Sequence, residues 1–260
     1  MKNIFRILVC SAAILFATNS IAQVKKIAQK PSVVKKGAIT TKRNVVVGQP
    51  KPTEANNKID ITPATKSIKI KITTDSGVII VKLYDSTPLH RDNFAKLVKE
   101  GFYDSLIFHR VIQGFMIQGG DPQSKNAEPG QMLGSGGGDM QRIPAEFRKS
   151  LIHKKGVLAA ARDGNPEKAS SACQFYIVQG KKMTDQDLDN MERGLNIKYT
   201  PAQRLAYKTI GGTPMLDQNY TVFGEVVKGL DIIDKIAGVA KDVNDRPFKD
   251  VMVIKMRMLN

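Results

Sequence analysis

The sequence predicts a mainly β domain: a closed eight-stranded antiparallel β-barrel capped by two α-helices, with an inserted helical segment. Three observations predict it. Short apolar runs separated by glycine, proline and Asx turn residues recur from Ile68 to the end of the chain. Two stretches in that frame, one after Thr87 and one after Leu230, have the spacing of helices that cover a sheet. A third stretch, 184–209, is polar, charged and helical in pattern, and it interrupts the rhythm of strands.

Order begins at Ser67. Ile68, Ile70 and Ile72 alternate with Lys69 and Lys71, the period of a half-buried strand. Thr74-Asp75-Ser76-Gly77 is a turn, and Val78 to Tyr84 returns as the second strand. Thr87-Pro88 opens a helix, because proline suits the first helical turn; Phe94, Leu97 and Val98 share one face, and Gly101 ends it. Strands follow within 108–118 and 156–178, then at 221–227 and 251–256, with a short helix from Leu230 to Ile236. Closure is expected because a closed sheet has no exposed edges. Within the insertion, about 181–212, Thr184-Asp185-Gln186-Asp187 and Thr200-Pro201-Ala202-Gln203 are capping-box starts for two short helices.

The chain has 260 residues and a formal net charge of +16, which at first sight suggests a nucleic-acid partner. The distribution of that charge argues otherwise. Ten basic residues oppose two acidic ones between Val24 and Lys66, so half of the excess lies in one segment. That segment holds four prolines and no aromatic ring, so it reads as a self-repelling disordered tether, 23–66, without stacking platforms for bases. A solvated spacer is its first reading; weak contact with an anionic membrane surface is the second. Ahead of it, residues 1–22 read as a signal peptide: Lys2 and Arg6, the apolar stretch Ile7 to Ala17, and Ser20-Ile21-Ala22 before Gln23. Export, most simply to a periplasm, is therefore expected. Cleavage would remove Cys10 and leave Cys173 without a disulfide partner, so stability must come from a core.

The chemistry concentrates in Phe108-His109-Arg110-Val111-Ile112-Gln113-Gly114-Phe115-Met116-Ile117-Gln118-Gly119-Gly120-Asp121. With a bend at Gly114, Arg110, Phe115, Met116 and Gln118 converge as one guanidinium, one amide and two apolar surfaces. That is the composition of a small-ligand or peptide pocket; a core strand with a snorkelling arginine fits the same residues. Gly134 to Gly138 lacks the Lys-Ser or Lys-Thr of a phosphate loop, and His90, His109 and His153 lack metal-ligand spacing. No metal or cofactor is expected.

At this segment the chain resembles the cyclophilin family of peptidyl-prolyl cis-trans isomerases. The likeness continues through Gly134-Ser135-Gly136-Gly137-Gly138, Ile143-Pro144-Ala145-Glu146-Phe147 and Gly156 to Arg162. It resumes at Ser171 to Ile177, Leu216-Asp217 and Thr221 to Val226, all in the family's order. The resemblance implies a barrel with its active site on one face. It implies that Arg110 is the catalytic arginine, that Phe115 and Met116 form a proline pocket, and that Gln118 holds the substrate backbone. Ala161, Arg162, Tyr176, Met215, Leu216 and Tyr220 would complete the surface. The implied partners are X-Pro polypeptides, and a monomer is expected.

Several positions depart from the family. Met215 stands where many members carry Trp, which implies weak cyclosporin binding. Tyr220, Arg162 and Tyr176 stand for a common His, Asn and Phe. The insertion enters just before Leu216 and reads either as a surface elaboration or as a lid over the site. A cyclophilin fold that binds proline segments without turnover is the alternative function.

Overall fold

The structure, a computed structural model, describes residues 67–259. The signal peptide and the basic tether expected over 1–66 lie outside the described residues. Eight strands form one antiparallel sheet: β1 Lys69–Thr74, β2 Gly77–Leu83, β3 Arg110–Ile112, β4 Met116–Gly119, β5 Val157–Ala160, β6 Phe175–Val178, β7 Val222–Lys228 and β8 Val253–Leu259. Four α-helices join them: α1 Pro88–Lys99, α2 Asp185–Leu195, α3 Pro201–Thr209 and α4 Leu230–Ala237.

The expectation of a closed barrel is corrected here. The strand order is β3-β4-β6-β5-β7-β2-β1-β8, and its two end strands form no ladder with each other among the described residues. The sheet is an open half-barrel. Where β3 and β8 would meet, the chain makes the isolated bridge Ile107–Met252 and flanking bonds from Phe108 N to Val251 O (2.9 Å), Val253 N to Leu106 O (2.7 Å) and Ser105 N to Val253 O (2.8 Å), all before β3 begins. The physical reason lies in β3, which is three residues long. Its Val111 N donates to Asp245 O (2.8 Å), in a loop pinched at Lys241–Pro247, so that loop occupies the place of a continuing β8.

The alternation read from the sequence sets the inner face. Ile70 and Ile72 are fully buried between exposed Lys69 and Lys71. Val81 and Leu83 join them from β2, and Phe94 of α1 packs on Tyr103, Phe175 and Phe223 with ring centroids 5.0–5.4 Å apart. Ile233 and Ile236 of α4 complete this core. Each such buried side chain contributes roughly 1.5–3 kcal/mol relative to exposure.

Strands β5 and β6 are buried along their whole length, which explains why their sequences read as unbroken apolar runs rather than alternating ones. Leu158, Phe175 and Ile177 face the core, while Val157, Ala159, Tyr176 and Val178 belong to a second cluster on the opposite face. That second face carries the site.

Buried polar groups fix the surrounding elements. Thr87 makes no side-chain cap on α1; Glu146 takes that role from a distant loop, accepting from Leu89 N (3.2 Å), His90 N (3.0 Å) and His90 Nδ1 (2.7 Å). A carboxylate at a helix N-terminus meets both free N–H groups and the positive end of the helix dipole. Helices α2 and α3 both open with complete capping boxes, on Thr184/Asp187 and Thr200/Gln203. They enclose a separate core of Met183, Leu188, Tyr199 and Tyr207 against Ile152. Among the described residues, no helix is long and apolar enough to cross a membrane.

Candidate active site

Strand register assembles the site. β3 and β4 form a hairpin whose turn contains Gly114, at φ 75°, and whose pairing sets Arg110 directly opposite Gln118. The next pairings set Gln118 opposite Tyr176 and Tyr176 opposite Ala159. Directly opposed residues of antiparallel strands project to the same face, so Arg110, Gln118, Tyr176 and Ala159 stand in one row across four strands. The sequence reading expected one strand bent at Gly114; the hairpin achieves the same convergence by pairing two strands.

A cavity of about 350 Å³ opens over this row. Phe115, Met116, Ala161, Tyr176, Leu216 and Tyr220 supply its apolar lining, and Arg110 and Gln118 border it. The Arg110 side chain is 42% exposed, with Nη1 3.5 Å from Gln118 Oε1 and Nε 3.6 Å from the Asp245 carboxylate. The guanidinium is thus steered from two sides yet keeps free N–H groups at the cavity.

Gln118 is itself oriented. Its amide nitrogen donates to Gln174 Oε1 (3.1 Å), which turns its own oxygen toward Arg110. Gln174 Nε2 in turn donates to the carbonyls of Gly134 and Gly136 (both 2.9 Å), tying the glycine-rich loop to the row. That loop also donates from Gly134 N and Gly136 N to the fully buried Asp121. A Cβ on Gly136 would stand 1.9 Å from Asp121 Oδ1, so only glycine fits there. On the far wall, Arg162 donates to Asn219 O (2.9 Å) and lies 4.6 Å over the Tyr220 ring, holding that ring against the cavity.

Residues 69–258 match the family model described as cyclophilin type peptidyl-prolyl cis-trans isomerase/CLD. The chain belongs to that family. Family membership makes this cyclophilin a peptidyl-prolyl cis-trans isomerase, with proline-containing polypeptides as its class of substrate. A Staphylococcus epidermidis protein named as a peptidyl-prolyl cis-trans isomerase is 34% identical over 187 residues, 72% of this chain and 89% of that protein. A Streptococcus pyogenes protein named as a bifunctional phosphatase/peptidyl-prolyl cis-trans isomerase is 37% identical over 188 residues, 71% of this chain but only 37% of that protein's length. A crystal structure of a Cryptosporidium parvum cyclophilin type isomerase shares the fold, with TM-score 0.56 and 22% identity, covering 75% of this chain and 98% of that one.

Nine of the ten site residues read from the sequence of this cyclophilin line the one cavity. Met215 does not: it is 42% exposed and is not part of the lining, leaving Leu216 as the contribution of that turn. No residue of 181–212 lines the cavity either. Several contributors escaped the sequence reading, Gly130 to Leu133 of the cavity lining among them. Gln174 lies within a family motif, but its three side-chain hydrogen bonds join segments too distant in the chain for the motif to reveal them. Asp242, Asn244 and Arg246 arrive from the loop before β8, and only its turn-forming composition hinted at a surface loop. Arg246, 5% exposed, latches that loop to the carbonyls of Glu128 (2.9 Å) and Gln131 (2.7 Å). Among the described residues, no group of three or more His, Cys, Asp or Glu side chains could hold a metal ion.

His109 is buried beside Arg110, and neither ring nitrogen has a hydrogen-bond partner among the described residues. Burial lowers its pKa to about 4, with Arg110 and Arg246 adding to the effect and Asp121 opposing it. Unfolded, the same ring takes up a proton near pH 6.5. Its contribution to stability is therefore intact above pH 6.5 and is lost as pH falls toward 4, by roughly 3 kcal/mol in all. Urea midpoints measured at pH 7 and pH 4.5 are expected to differ less for His109→Gln than for the unaltered protein. An equal difference in both would contradict this.

Proposed function

We propose that this isomerase acts without covalent chemistry, stabilising the twisted X-Pro transition state with Arg110 while the apolar cavity grips the proline ring. The barrier to peptide rotation is ~18–20 kcal/mol because the C–N bond has partial double-bond character. Twisting the bond breaks that conjugation and returns a lone pair to the prolyl nitrogen. A guanidinium N–H beside that nitrogen then gains an acceptor that the planar ground state does not offer, which is differential transition-state binding. Each ~1.4 kcal/mol so gained is worth about tenfold in rate.

One observation carries this reading: a single sheet row sets the half-exposed Arg110 beside Gln118 at the edge of a pocket floored by Met116 and Tyr176. Gln118 would hold the substrate backbone, and Phe115, Leu216 and Tyr220 would flank the ring. Proline is apolar, rigid and without an N–H donor, so a lining with few polar groups suits it. A binding module without turnover could use the same apolar walls but would not need the guanidinium.

Arg110→Ala is expected to lower kcat/KM on an X-Pro peptide by roughly ten- to a hundredfold, the worth of one charge-assisted hydrogen bond. A folded Arg110→Ala protein with undiminished turnover would contradict the assignment.

The clients we infer are exported polypeptides, since slow X-Pro isomerisation limits their folding after export. The support is the signal-like order of residues 1–22, a basic start, an apolar stretch and a small-x-small site. Fractionation with N-terminal sequencing is expected to find mature protein outside the cytoplasm beginning at Gln23. An intact Met1 in the cytoplasmic fraction would overturn the export reading.

A further inference from the structure

The floor of the pocket is joined to the helical insertion through groups that the isomerase reaction does not itself require. Tyr176 presents its ring to the cavity, edge-on to Tyr220 at 6.0 Å, and its hydroxyl to the interior, 3.0 Å from His153 Nε2. The His153 ring stacks on Tyr176 at 6.1 Å with 14° between planes. Its Nδ1 lies 2.7 Å from Asp217 Oδ1, which also accepts from His153 N (2.8 Å). The second oxygen of Asp217 accepts from Tyr199 OH (2.7 Å) and Tyr207 OH (2.6 Å), both supplied by the insertion. His153, Asp217 and Tyr207 are each 1% exposed or less.

Asp217 is the hub of this set. Its carboxylate accepts from four donors, His153 Nδ1 among them, while His153 Nε2 and the Tyr176 hydroxyl share the bond that reaches the pocket. Burial and the Asp217 carboxylate hold the hydroxyls of Tyr199 and Tyr207 well above the ordinary tyrosine range, so both remain donors. Removing any member leaves a buried partner without its bond. The hydroxyl that joins Tyr176 to it is the one atom by which this residue differs from phenylalanine. The insertion also has its own core, in which Tyr199 and Tyr207 pack edge-on at 5.3 Å, so its two donors are held firmly.

We propose that the insertion positions the pocket floor of this isomerase through Asp217, His153 and Tyr176, which makes Tyr199 and Tyr207 positioning residues for a site they do not touch. The inference rests on the reading of the cavity as the prolyl site. It replaces both earlier readings of 181–212: the segment neither covers the site nor stands apart from it. It braces the site from behind.

The test is a double-mutant cycle in the full chain between Tyr207→Phe, in the insertion, and Tyr176→Phe, in the pocket, with kcat and KM measured separately on an X-Pro peptide. Both substitutions keep the ring and remove one hydroxyl. Each is expected to lower kcat/KM by about threefold or more, mainly through a raised KM, and the double variant to be no worse than the poorer single one. Multiplying effects, or a lowered Tm with KM unchanged, would overturn the proposal by reducing the relay to ordinary packing. If Tyr207→Phe does not fold, Tyr199→Phe replaces it, because it donates to the same oxygen. Arg110→Ala run alongside separates the two levels. Arg110-dependent turnover with an additive cycle overturns the bracing alone, whereas Arg110-independent turnover overturns the prolyl-site reading and the bracing with it.

Discussion

The site depends on antiparallel pairing in register. β3 against β4, β4 against β6 and β6 against β5 bring residues from four separate stretches of chain into one row. A slip of one residue in any of these ladders would send that strand's side chains to the other face, exchanging pocket for core. Register is strongly specified here because both faces of β5 and β6 are buried and neither tolerates the exchange. Positioning the guanidinium is thus a consequence of packing several shells of apolar side chains correctly.

Around that row, buried polar side chains do what short loops cannot do alone. Asp121 and Gln174 gather the glycine-rich loop, Glu146 completes the N-terminus of α1, and Arg246 latches the loop before β8. Asp217 gathers the insertion. Each is a charged or amide group satisfied by several partners, so each is costly to disrupt and specific in geometry. These bonds brace the pocket wall at several separate points.

Much of this was legible in the sequence, and the reasons are local. Alternation in Ile68 to Ile72 reports a strand buried on one face, and the Thr-led capping boxes report where α2 and α3 begin. The motif Phe108 to Asp121 holds Arg110, Phe115, Met116 and Gln118 close together in the chain, so their convergence could be read. What stayed illegible is long-range. Whether β3 meets β8 depends on a loop about 130 residues later that takes the vacant edge; local pattern carries no trace of this, and closure was expected in error. The amide relay through Gln174 and the joining of Tyr176 to the insertion likewise arise from tertiary contacts between distant segments.

The central claim is that the row Arg110, Gln118, Tyr176 and Ala159 is the face on which the X-Pro bond rotates. Exchange NMR on a mixture of the protein with an X-Pro peptide tests it most directly. Cis and trans peptide resonances are expected to exchange through the bound state, and the protein amides that shift are expected to cluster on β3, β4, β6 and β5 around this row. Exchange accompanied by shifts confined to another face, or shifts on the row without cis-trans exchange, would contradict the account.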